Sequence, residues 1–227
     1  MIVLCGNLTI LYCERFFHCF YLEERKNCAT ALAGHRAAIL FNRYLRRADM
    51  NKEMTINGKN YRITKLLGKG KGGYSYLADD GNNRYVLKQI HHEPCNYYQF
   101  GNKLEAEIRD YKRLKAIGIK MPAMLETDVE NERILKEFID GDTIYQLVLQ
   151  DKMKSIYIEQ LHSMCTLLYA AHTNIDYFPT NFVVHNEEIY YVDFGCNDYM
   201  EEWNFENWGI KYWSRTPEFL QYVKEHS

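Results

Sequence analysis

The stretch that most constrains this chain is Asn174-Ile175-Asp176-Tyr177-Phe178-Pro179-Thr180-Asn181, with Asp193-Phe194-Gly195 following twelve residues after Asn181. Apolar runs enclose it. Phe182-Val183-Val184 and Glu188-Ile189-Tyr190-Tyr191-Val192 read as two short β-strands around a polar His185-Asn186-Glu187 turn. The second strand delivers Asp193 to its end, so two carboxylates and a carboxamide sit on loops beside a small sheet. Pro179 fixes its own φ and pushes Phe178 toward extended geometry, which stiffens the loop. The five-residue interval lets Asp176 face an incoming nucleophile while Asn181 turns back toward a cation. Mg²⁺, a hard cation, takes oxygen ligands from one or two carboxylates and from phosphates. Asn181 and Asp193 are the candidate ligands.

This pattern resembles the catalytic and metal-binding loops of the protein-kinase-like superfamily, which read His-Arg-Asp, four residues, Asn, and later Asp-Phe-Gly. Asp176, Asn181 and the whole Asp193-Phe194-Gly195 triplet match, while Asn174 and Ile175 depart from the opening pair. A lone Asp-x4-Asn occurs by chance in many loops, so the rest of the chain has to corroborate it.

The corroboration begins with Tyr61-Arg62-Ile63-Thr64-Lys65-Leu66, an alternating strand that runs into Gly68-Lys69-Gly70-Lys71-Gly72-Gly73. Gly68, Gly70 and Gly73 form Gly-x-Gly-x-x-Gly, where missing side chains let backbone N–H groups approach phosphates. A dinucleotide fold uses the same motif between a strand and a helix. Here Tyr74-Ser75-Tyr76-Leu77 reads as a second strand, which favours a glycine-rich hairpin; Ser75 stands where the kinase pattern has valine. After the Asp79–Asn83 turn, Tyr85-Val86-Leu87-Lys88 is a short strand ending in a lysine, where the superfamily has its phosphate-contacting lysine. Nineteen residues on, Glu107 lies in a helix whose apolar positions 104, 108, 111 and 114 stop near Gly118. The resemblance implies that this glutamate pairs with Lys88; Glu105 is the competing candidate. Arg133–Asp142 then resembles the hinge between kinase lobes, which implies that backbone groups of Glu137 and Ile139 read the adenine edge. Lys136 falls where the superfamily usually has an apolar residue, and a charge there needs a partner if it is buried.

Residues 155–172 read as an amphipathic helix leading back to Asp176, with His162 and His172 as core or surface histidines, since neither has a second ligand at metal spacing. At the second position after Asp176, where serine/threonine kinases carry a lysine, this chain has Phe178, so a positive charge expected at the transition state is missing. Asn204–Trp213 reads as a helix. Thr216-Pro217-Glu218 loosely resembles the Ala-Pro-Glu that ends a kinase activation segment. With only 32 residues after Gly195, there is no room for the full set of peptide-docking helices. The resemblance covers residues 61–195 and is similar in economy to lipopolysaccharide kinases and other small atypical bacterial kinases.

Composition is that of an ordinary globular protein. The chain has 227 residues, 47% hydrophobic and 26% charged, with a net charge of −2, enough for one good core or two small lobes. That near-neutral balance gives no reason to expect nucleic acid as a partner. Seven cysteines, an odd number without Cys-x-x-Cys spacing, argue against a disulfide framework or a zinc ribbon and for reduced, cytoplasmic thiols.

Residues 1–49 differ: seven Lys/Arg against four Asp/Glu give +3 locally, leaving −5 for 50–227. Met1–Tyr12 resembles a weak signal or anchor, yet no positive residue precedes the apolar run and Glu14-Arg15 cuts it short of the roughly 20 residues a span needs. An appendage with its most helical part at Ala31–Tyr44, or translation starting at Met50 or Met54, are the other readings.

The sequence therefore implies an α+β, protein-kinase-like bilobal fold: an extension over 1–49, a β-rich lobe over 50–139, and a reduced, mainly helical lobe over 140–227. The implied activity is transfer of the γ-phosphate of ATP, with Mg²⁺, to a hydroxyl of a protein serine or threonine or of a small molecule. Asp176, Lys88 and Glu107 are the catalytic candidates. The alternative is a nucleotide-binding pseudokinase or scaffold, for which Asn174, Phe178 and Lys136 speak.

Overall fold

The computed structural model describes residues 52–93 and 101–226, together with the backbone of three short strands, β1 (Val3–Cys5), β2 (Leu8–Cys13) and β3 (His18–Tyr21). These three pair in the antiparallel order β1-β2-β3. The helix expected at 31–44 lies outside the described residues. Among those that are described, no helix is long and apolar enough to cross a membrane.

Six antiparallel strands form the first lobe in the order β4-β5-β6-β7-β9-β8. They are β4 (Glu53–Ile56), β5 (Lys59–Lys69), β6 (Gly73–Asp79), β7 (Arg84–Ile90), β8 (Met124–Asp128) and β9 (Arg133–Glu137). Asn57-Gly58, both at positive φ, make the two-residue turn between β4 and β5, the Asn-Gly chemistry that such hairpins demand. Two register shifts in β5, between Ile63 and Lys65 and between Leu66 and Gly68, add curl to the sheet. The curl is strong enough that the β4–β5 turn reaches the far edge strand, where Asn57 N–H donates to Asp128 Oδ2 at 3.0 Å. Inside the curl, Ile56, Tyr61, Ile63, Ala78, Leu87 and Leu135 form a small core, each at most 2% exposed.

Between β7 and β8 runs α1 (Lys103–Ile117), started by the Asn102 side chain on Glu105 N–H and ended by Gly118 in the left-handed region. Leu104 and Ile108 dock it against Ile90 and Ile134, while Leu114 enters the larger core. Arg113 ties its far end to the second lobe, donating to Asp198 Oδ1 and to the His172 carbonyl.

The second lobe is built on α2 (Ile144–Leu149), with a Thr143–Gln146 capping box, and α3 (Ser155–Ala170). Two small antiparallel sheets lie against them. β10 (Asp142–Thr143), β12 (Phe182–His185) and β13 (Glu188–Tyr191) make one, β11 (Thr173–Ile175) and β14 (Cys196–Asp198) the other. Asn186 and Glu187, both at positive φ, close the β12–β13 hairpin. Leu161, Leu168, Phe182, Tyr191, Phe205 and Phe219 are fully buried around them. Where the lobes join, Gly141 passes so close to β12 that a Cβ on it would lie 1.8 Å from the Val184 carbonyl oxygen.

The chain ends in α4 (Pro217–His226). The helix expected over Asn204–Trp213 is instead a run of turns with a 3-10 turn at Gly209–Tyr212. Packing explains the difference. A Cβ at Gly209 would sit 2.6 Å from Tyr177 Cβ, and Asn204 accepts Asn207 N–H on its side chain, a local alternative to helical bonding.

Candidate functional site

Strand register brings the polar loops together. Ile175 pairs with Cys196 before Asp176, and Phe182 pairs with Tyr191 after Asn181, so loops 176–181 and 192–195 are clamped face to face at both ends. Val192 N–H donates to the Asn181 carbonyl at 2.9 Å, bringing Asn181 beside Asp193. Beneath them Trp213 Nε1–H donates to the buried Tyr177 carbonyl at 2.7 Å, fixing the floor of the 176–181 loop.

Asp176 is exposed in the cleft. Its Oδ1 accepts Phe178 N–H at 3.0 Å, and Asn181 Nδ2–H donates to its carbonyl at 3.3 Å. Surrounding protein raises its pKa above the ordinary aspartate value, the Asp193 charge adding to that, against the Phe178 N–H. Phe178, in place of a lysine, packs into rings of the chain's tail: centroids lie 4.7 Å from Tyr222, 5.1 Å from Tyr212 and 6.4 Å from Trp208.

From the first lobe, β7 carries Lys88 and α1 carries Glu107 to the same point. Lys88 Nζ lies 2.6 Å from Glu107 Oε2 and 3.7 Å from Asp193 Oδ1. Glu105 points to solvent, so the helix phase selects Glu107. Burial works against the Lys88 charge, but Glu107 and Asp193 outweigh it and hold its pKa above the usual lysine value. Burial likewise opposes the Asp193 charge, yet the Lys88 and Lys136 ammonium groups and the N–H groups of Phe194 and Gly195 hold its carboxyl below the usual range. Phe194 is fully buried, its ring 4.6 Å from Tyr111 of α1, which leaves Asp193 turned into the cleft.

The glycine loop lies above Lys88. It closes the β5–β6 hairpin, with Gly68 paired to Ser75 and Gly70 N–H donating to the Gly73 carbonyl at 2.9 Å. A Cβ on Gly68 or Gly70 would meet open space, whereas one on Gly73 would lie 2.4 Å from the Gln89 carbonyl oxygen. Gly73 therefore serves strand packing. Gly72, not singled out in the sequence, is the one whose Cβ would approach Lys88 Nζ, at 3.8 Å. At the hinge, Glu137 ends β9 with its N–H donated to the Ala123 carbonyl at 2.9 Å, and Ile139 is 8% exposed.

Two more lysines matter here: Lys103, which the sequence did not single out, and Lys136, which it did. Lys103, one turn before Glu107 on the same face of α1, donates to the Lys71 carbonyl at 3.1 Å and the His91 carbonyl at 2.6 Å, linking the helix to the glycine loop. Its i, i+4 spacing from Glu107 was the available signal. Lys136 is 4% exposed, donates to the Val192 carbonyl at 3.0 Å and lies 4.3 Å from the Phe194 ring centroid. Burial, then repulsion from Lys88, lowers its pKa to about 8.

The donor set fits Mg²⁺ with a nucleotide. Asp193 offers a carboxylate, of which Oδ1 already accepts Phe194 N–H at 2.8 Å, and Asn181 offers a carboxamide oxygen, both hard ligands whose complement would come from phosphates and water.

The chain is similar to the KEOPS complex subunit Bud32 of Pyrococcus abyssi (strain GE5 / Orsay), 23% identical over 150 residues that cover 60% of this chain and 68% of that one. A family model described as RIO domain matches residues 75–203, from the glycine-loop hairpin through both polar loops. That span exceeds half the chain and contains Lys88, Glu107, Asp176, Asn181 and Asp193, and the chain accordingly belongs to the RIO-domain family of atypical, protein-kinase-like proteins.

Proposed function

We propose that this chain is an ATP-dependent phosphotransferase acting on a hydroxyl. The observation that carries the reading is the contact of Lys88 with both Glu107 and Asp193, which joins the two lobes at one point under the glycine loop. Lys88, held by Glu107, binds the α- and β-phosphates; the N–H groups of the Gly68–Gly73 hairpin cover them; Glu137 and Ile139 line the base. Asn181 and Asp193 would hold Mg²⁺, which when bound would supply positive charge against the nucleotide phosphates. Asp176 orients the acceptor hydroxyl and takes its proton as the acceptor oxygen bonds to the γ-phosphorus and the bond to the β-phosphate oxygen breaks, releasing ADP.

The acceptor is a protein serine or threonine or a small molecule, and the aromatic surroundings of Phe178, uncharged where peptide kinases carry lysine, favour an acceptor other than an ordinary peptide. The lobes divide at 139/140, and two buried free thiols, Cys165 and Cys196, accord with a reducing, cytoplasmic setting. Transfer of label from γ-labelled ATP tests the reading. Incorporation that Asp176→Ala reduces at least about 100-fold is expected, and transfer surviving that substitution removes Asp176 from its role.

A second reading is that of a nucleotide-binding scaffold, favoured by Phe178 and by the buried Lys136. The Pyrococcus relative is by name a subunit of a complex, and membership of an assembly is the corresponding proposal for this chain. It predicts nucleotide binding without turnover.

A further inference from the structure

Lys136 has no role in the reaction as set out above, yet it is buried within the nucleotide cleft. The side chain stands on β9 next to Lys88 of β7, since Val86 pairs with Lys136 and Lys88 with Ile134. Its ammonium donates to the carbonyl of Val192, the residue before Asp193, and lies against the ring of Phe194, the residue after it. One cation thus grips both sides of the proposed metal ligand. A buried ammonium group needs partners against its desolvation, and a carbonyl, an aromatic face and two nearby carboxylates offset part of it here.

Charge balance gives the position its consequence. Lys88, Glu107 and Asp193 alone carry −1, which favours a divalent cation even before nucleotide arrives. With Lys136 the four side chains sum to zero. We propose that Lys136 is a positioning residue that holds the Val192–Phe194 turn inward and, as a resident cation beside Asp193, makes divalent-metal binding depend on the negative charge of nucleotide phosphates. This rests on the assignment of Asp193 as a metal ligand.

The test is Mn²⁺ binding to the full chain without nucleotide, followed by electron paramagnetic resonance, for the wild type, K136M, K136Q and K136R, each with and without D193N. Removing a neighbouring unit charge in a partly buried site is expected to tighten Mn²⁺ binding about tenfold or more in K136M and K136Q. K136R should stay close to wild type, and D193N should abolish the binding in every background. K136Q keeps a donor for the Val192 carbonyl, so it separates charge from hydrogen bonding. Equal or weaker binding in both neutral variants, with the D193N control intact, overturns the proposal and leaves the metal site standing. Absence of any D193N-sensitive Mn²⁺ binding, with or without ATP, overturns the Asp193 assignment and the Lys136 proposal together. Loss of the folded state in both neutral variants makes the ammonium a structural requirement and also overturns it.

Discussion

At the scale of single residues, proton affinities make the account measurable. Asp176 must be ionised to take a proton, and protein around it raises its pKa above the ordinary value of about 3.9. The acid limb of kcat/KM should therefore lie above that value, and a limb at or below it would count against Asp176 as the base. Lys136 gives a stability signature. Its pKa falls from 10.5 unfolded to about 8 folded, so between those values the unfolded chain binds more protons and stability rises with pH. The gain is complete above about 10.5 and is lost as pH falls through about 8. At roughly 1.4 kcal/mol per pKa unit the full gain is about 3.5 kcal/mol, of which about 2–3 kcal/mol falls between pH 7.5 and 10. Urea titrations in chelator at pH 7.5 and 10 should show wild type gaining on K136M by an amount of that order; a constant difference between them would refute the lowered pKa.

At the scale of elements, the β12–β13 ladder behind the polar loops was legible in the sequence as two short apolar runs, and so were the glycine hairpin and α1, whereas the β11–β14 ladder was not. Next to Ile108, Glu107 was the favoured partner for Lys88 with Glu105 as competitor, and the helix phase buries Glu107 and exposes Glu105. What stayed hidden depends on contacts distant in sequence. Gly73 looks like a phosphate-loop glycine by spacing, but its place is dictated by the Gln89 carbonyl across the β6–β7 pair. Asn204–Trp213 has helical spacing, and Tyr177 beneath Gly209 bends it instead. Lys136 stood out in the sequence as a charge at a normally apolar position, but its partners, and any role for Lys103, appear only once the register of β7, β9 and α1 is known.

Gly73 and Gly70 separate packing from binding. Gly73→Ala forces a carbon against backbone and should cost about 1–3 kcal/mol in urea unfolding. Gly70→Ala meets open space and should leave stability within about 0.5 kcal/mol while weakening ATP binding. Equal stability losses would show that the hairpin is not divided this way. Glu107→Gln leaves the buried Lys88 without its nearest carboxylate and should cost about 3–5 kcal/mol. A loss below 1 kcal/mol would show that α1 is not keyed to β7 by this pair.

At the scale of the whole molecule, the site exists only where the curled sheet, α1 and the two clamped loops meet, with Lys88–Asp193 and Arg113–Asp198 crossing between the lobes. A nucleotide bound in that cleft would touch both lobes and should stabilise them as a unit. The tail contributes as well, since Trp213 and Tyr222 hold the Tyr177–Phe178 segment that positions Asp176. The most direct test is thermal unfolding of the full chain with and without Mg²⁺-ATP, for the wild type and Asp193→Asn. At about 100 times its dissociation constant the ligand contributes roughly 2.7 kcal/mol, a rise in Tm of about 5–10 °C for a protein of this size. The account predicts that rise, its dependence on the metal and its loss in Asp193→Asn; no rise at saturating nucleotide, or one that persists in the variant, would contradict it.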